Sequence, residues 1–65
     1  MALKATPAVE YTYNGSKVQD ICTTPDGAQN HLGHLLHNGY ADAKAVTVLY
    51  DAGNPDDRLY PVIVS

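Results

Sequence analysis

The chain has 65 residues, 45% of them hydrophobic, a composition that folds and is too apolar for a chain held open by charge. Seven acidic side chains against four basic ones give a net charge of −3, and Lys4, Lys17, Lys44 and Arg58 stand singly. Tracking a phosphate backbone takes clustered cations, so nucleic acid is excluded as a partner. The sequence has neither an apolar run of about 18 residues nor an export-type leader in MALKATPAVE, which argues against membrane insertion and predicts a cytoplasmic protein. Cys22 is the only cysteine and has no internal partner, in keeping with a reducing compartment. A chain this short forms one domain, residues 1–65, with a small core; residues 1–7 read as a flexible lead-in.

Val9 to Tyr13 alternate between apolar and polar, Asn14-Gly15 supplies two residues that tolerate positive φ, and Ser16 to Ile21 run back. A two-residue loop sets the register, with Thr12 opposite Lys17, Tyr11 opposite Val18 and Glu10 opposite Gln19. Val9, Tyr11, Tyr13 and Val18 then share one face. Thr24 reads as a helix N-cap, with Pro25 in the first helical position and Asp26 near the positive end of the dipole. The helix is predicted from about Pro25 to about Asn38, stopped by Gly39 in the left-handed conformation. At 100° per residue Ala28, Leu32, Leu35 and Leu36 form its apolar stripe, opposite Asn30, His31, His34 and His37.

Ala43 to Tyr50 is a β-branched run that reads as a strand, and Arg58 to Val64 reads as another beyond the turn-rich stretch Asp51 to Asp57. Pro61 places the last element at an edge or a bulge. The expected fold is α+β: a small ββαββ domain, its antiparallel sheet made of two hairpins with the helix packed on one face.

Three features invite a chemical reading. His31, His34 and His37 are potential metal ligands, but positions i, i+3 and i+6 fan over about 120° and climb about 9 Å, so at most two reach one ion. A solvated helix face accounts for them, and a small metal-binding protein is the alternative function. Cys22 beside a helix start resembles an activated thiol, yet no catalytic motif accompanies it, and it reads as a small core residue. Asp51, Asp56 and Asp57 crowd one loop without the spacing of a calcium loop, which makes it an acidic turn.

No catalytic or cofactor signature emerges, and neither cofactor nor metal is expected. The function read from the sequence is a non-catalytic protein that binds another protein, as an inhibitor, accessory subunit or regulator covering part of a larger partner; virus-encoded regulators are often chains of this size. Tyr40, Tyr50 and Tyr60 offer contact area at low entropic cost, and Asp56 and Asp57 offer carboxylates to a basic surface. Both C-terminal runs are apolar on both faces, more than one helix covers. A two-fold homodimer through the uncovered face, with Tyr50, Tyr60 and Val62 in the contact, is therefore expected.

Overall fold

A computed structural model describes residues 3–53 and 58–63. Strand β1 (Leu3–Tyr13) is followed by β2 (Ser16–Ile21), helix α1 (Pro25–His37) and strand β3 (Lys44–Asp51). The fold is α+β, with three antiparallel strands in one open sheet, ordered β2-β1-β3, and one helix. β1 is central and both neighbours run antiparallel to it. β2 and β3 are therefore mutually parallel, and parallel strands need a long crossover. α1 is that crossover, carried over β1.

The first hairpin forms as its turn chemistry requires. Asn14 and Gly15 take φ of 51° and 80°, and Thr12, Tyr11 and Glu10 face Lys17, Val18 and Gln19. At the helix start, Thr24 accepts the Gly27 N–H at 3.0 Å. At its end, Gly39 turns left-handed with φ of 96°, its N–H meets the Leu36 carbonyl and the Tyr40 N–H meets the Leu35 carbonyl. This pair of bonds is a Schellman motif, which brings the residue after the glycine back onto the helix. Tyr40 is thereby packed against the core of Val9, Ala28 and Leu35, with Tyr11, Cys22, Leu32 and Ala43 around it.

Residues 3–7 are strand, where the sequence suggested a flexible lead-in. Leu3 to Pro7 pair with Asp51 to Thr47 along β3. Pro7 lies inside this central strand, where a proline normally costs a ladder bond. Here Cys22 donates its N–H to the Pro7 carbonyl at 2.8 Å, and the Thr6 hydroxyl donates to the Cys22 carbonyl, also at 2.8 Å. The threonine supplies the bond that the proline nitrogen cannot.

The expected second hairpin is reduced to one bridge among the described residues, Val48 opposite Val62, flanked by bonds from the Leu49 N–H to the Pro61 carbonyl and from the Ile63 N–H to the Thr47 carbonyl. Pro61 has no N–H to extend the ladder, and the preceding residue is held elsewhere. The Gln19 side-chain amide clasps the Tyr60 main chain, donating from Nε2 to its carbonyl at 2.9 Å and accepting its N–H at 2.6 Å. The C-terminal segment thus reaches across the face opposite α1, and Tyr60 meets the Tyr50 ring edge-on at 6.2 Å. Beneath this side of the sheet Ala8 and Val48 are fully buried. Glu10 is buried there as well, bonded to Gln19 at 3.0 Å and flanked by the Lys17 and Lys44 ammonium groups at 3.5 and 4.0 Å.

Leu36 departs from the expected stripe. Ala28 and Leu35 are buried and Leu32 is half-buried, but Leu36 is 48% exposed. The helix seats on Val9 through Ala28 and Leu35, and Leu36 lies about 100° around the axis from Leu35. Leu35→Ala should therefore destabilise the fold by about 2–5 kcal/mol, and Leu36→Ala by less than about 1 kcal/mol, measured by urea unfolding. Gln19→Ala removes the two bonds that this side chain makes to the Tyr60 main chain and should cost about 1–3 kcal/mol, with faster amide exchange at Tyr60.

Candidate interaction surface

The helix does not cover the whole of its side of the sheet. Odd-numbered residues of β1 face α1, as the buried contact of Val9 with Ala28 and Leu35 shows. Through the register Ala45 and Thr47 of β3 share that face with Ala5 and Pro7. These four form the floor of an open groove of about 520 Å³. The first turns of α1 supply one wall through Pro25, Ala28 and Gln29, and the C-terminal segment adds Val62 and Ile63. Ala5, Ala45 and Thr47 are exposed, as are Val62 and Ile63. Among the described residues that line the groove none carries an ionisable side chain. It offers shape and apolar surface.

The tyrosines and acids named from the sequence fall in separate places. Tyr40 belongs to an aromatic cluster on the helix side, 5.1 Å from Tyr11 and 6.4 Å from Tyr13. Tyr50 and Tyr60 pair on the opposite side of the sheet, while Val62 reaches the groove. Asp56 and Asp57 lie outside the described residues. The face expected to await a partner is thus partly occupied by the chain's own C-terminal segment. The groove floor was hidden in the sequence because Ala5 and Pro7 fall in the segment read as a lead-in. Its signal was the alternation Leu3, Ala5, Pro7, Val9 continuous with the first strand.

The histidines do not act as a unit. His31 turns toward the sheet, its Nε2 2.7 Å from Asp20 Oδ2, which ties α1 to β2. His34 and His37 are exposed. Among the described residues no three His, Cys, Asp or Glu side chains are gathered to hold a metal ion. Asp20 is the centre of the local electrostatics. The Tyr11 phenol is pushed above its ordinary pKa, first by burial and then by the negative charge of the Asp20 carboxylate. The Cys22 thiol is also pushed up, by burial and then by Asp20; it donates to the Asp20 carbonyl at 3.6 Å. A raised pKa is the reverse of what an activated thiol needs. Across the sheet tip Asp42 is held below the usual carboxylate range, chiefly by the Thr12 hydroxyl, which donates to it at 2.6 Å. That bond fastens the helix-to-β3 connection to the hairpin.

No family model matches the chain, and neither a curated protein nor a solved structure is significantly similar to it. No helix among the described residues is long and apolar enough to cross a membrane. Asp20→Asn should lower the pKa of both Tyr11 and Cys22, and only part of the way, because burial is the larger cause of both shifts and survives the substitution. Faster alkylation of Cys22 at mildly alkaline pH, together with a tyrosine ultraviolet titration, checks this; an unchanged alkylation rate would show that the thiol does not sense the carboxylate.

Proposed function

We propose that this protein is a non-catalytic binding protein that acts as an inhibitor, accessory subunit or regulator by covering part of a larger protein partner. The observation that carries this reading is the open apolar groove beside α1, floored by Ala5, Pro7, Ala45 and Thr47. Contiguous exposed apolar surface on a small domain commonly marks a site of association. Catalysis would ask for polar groups converging on a cleft, whereas the described groove lining is mostly apolar, its polar side chains being Gln29, Thr6 and Thr47.

The groove fits one or two apolar side chains presented by a partner. Its floor is rigid sheet, so little ordering is required on binding, which favours affinity. Leu36 and Ile63 are exposed and add apolar area outside the core. The net charge of −3 steers such a protein toward partners with a basic surface, while the uncharged groove supplies the contact.

Affinity purification from the native host cell with Ala45→Arg beside the wild type tests the reading. Ala45 is exposed, so the arginine fills the groove without entering the core, and the melting temperature should stay close to that of the wild type. A protein partner should be recovered with the wild type and lost with Ala45→Arg, a loss of tenfold or more at about 1.4 kcal/mol per decade. Equal recovery by both forms would place the contact away from the groove.

A further inference from the structure

Strand β2 ends the sheet on the side away from β3. Across the two-residue turn Tyr13 and Ser16 are directly paired, and the Cys22 N–H reaches the Pro7 carbonyl. Because hydrogen-bonded pairs alternate along an antiparallel ladder, Ser16, Val18 and Asp20 direct their main-chain groups inward to β1. Lys17, Gln19 and Ile21 direct theirs outward. Among the described residues no main-chain group bonds to these three.

Natural sheets guard such edges with proline, bulges or outward lysines. β2 has no proline, and its register with β1 runs without a bulge. Its two charges are engaged over the faces of the sheet, Lys17 with Glu10 at 3.5 Å and Asp20 with His31 at 2.7 Å. The edge is left open along Lys17, Gln19 and Ile21, and Ile21 is 41% exposed.

We propose that β2 is a self-pairing edge: two copies of this chain join antiparallel through β2, about a two-fold axis at Gln19, into a continuous six-stranded sheet. With the axis at Gln19, Lys17 faces the partner's Ile21 and Gln19 faces the partner's Gln19. All outward N–H and C=O groups of the three residues are then satisfied by six hydrogen bonds, where an axis at Val18 would make only four. The charges decide for a second copy as occupant. Lys17 falls opposite the partner's Ile21 and Asp20 opposite the partner's Val18, so no like charges meet, and the Lys17 stem covers an exposed isoleucine. The helices fit as well. Each α1 packs over β1, and two β1 strands separated by three strand spacings lie about 14 Å apart, more than two packed helices require. The seam is distinct from the groove, so a protein that fails one test can pass the other.

Sedimentation velocity of the purified protein, from about 10 to about 500 µM, should show a monomer–dimer equilibrium of the weak class expected for a small interface. Ile21→Pro removes only an outward N–H, and should leave the far-ultraviolet circular dichroism unchanged while weakening the dimer at least about tenfold. Two charge variants keep that N–H and carry the test should the proline variant not fold. Ile21→Lys sets like charges face to face with the partner's Lys17 and should weaken association, whereas Ile21→Glu should preserve or strengthen it. Amide exchange at Lys17, Gln19 and Ile21 should slow as concentration rises. A monomer up to the highest concentration would overturn the proposal. So would a dimer indifferent to these substitutions, or one weakened equally by lysine and glutamate.

Discussion

The fold depends on one geometric constraint, that β1 is paired along both of its edges. A central strand with antiparallel neighbours on each side makes those neighbours parallel, and a parallel pair cannot be closed by a tight turn. The chain between Cys22 and Ala43 therefore has to cross the sheet. It does so as a helix whose contact side, Ala28 and Leu35, comes to rest on Val9, which is fully buried. Everything on the helix side follows from this placement: Tyr40 is turned in by the helix cap, Asp20 is met by His31, and the floor over Ala5 and Ala45 is left bare because one helix is narrower than three strands.

The opposite face is organised by a polar device. Buried Glu10 is surrounded by Gln19, Lys17 and Lys44, which meets the requirement that a buried carboxylate be paired and hydrogen-bonded. Gln19 does more than satisfy the carboxylate. With its remaining donor and its acceptor it holds the main chain of Tyr60, so a single amide side chain draws the C-terminal segment over Ala8 and Val48. The two sides of the sheet are thus closed by different means, apolar packing of a helix on one and side-chain to main-chain bonding on the other. The helix and the C-terminal segment both border the groove without filling it, and among the described residues no main chain pairs with the outer edge of β2; those two places are left for association.

Local rules were sufficient wherever a conformation is set by neighbouring residues. Asn14-Gly15 implied the turn and the register through Glu10 and Gln19; Thr24-Pro25 and Gly39 implied where the helix begins and ends. They failed at the first residues, read as a flexible lead-in, which pair with β3 through Leu3 to Pro7, the Thr6 hydroxyl supplying the bond that the Pro7 nitrogen cannot. They failed again at Leu36, since the phase of the helix on the sheet is a matter of which side chains the facing strand receives. Tyr40, named as a contact residue because tyrosines favour interfaces, is set half-buried against the core by the bond from its N–H to the Leu35 carbonyl, a placement that no local pattern announced.

By itself the sequence determined an α+β chain with one hairpin, one capped helix and a strand after it, because turn, cap and alternation signals act over a few residues. It also set the acidic balance and the lack of a basic stripe, which are properties of composition. Tertiary structure alone decided that Leu3 to Pro7 pair with β3, that the last strand is reduced to one bridge among the described residues, and that His31 meets Asp20 while Tyr50 meets Tyr60. It likewise decided where apolar surface stays open. Those outcomes join residues tens of positions apart, and such contacts depend on which faces the crossing helix and the clasped C-terminal segment leave available, which no local pattern encodes.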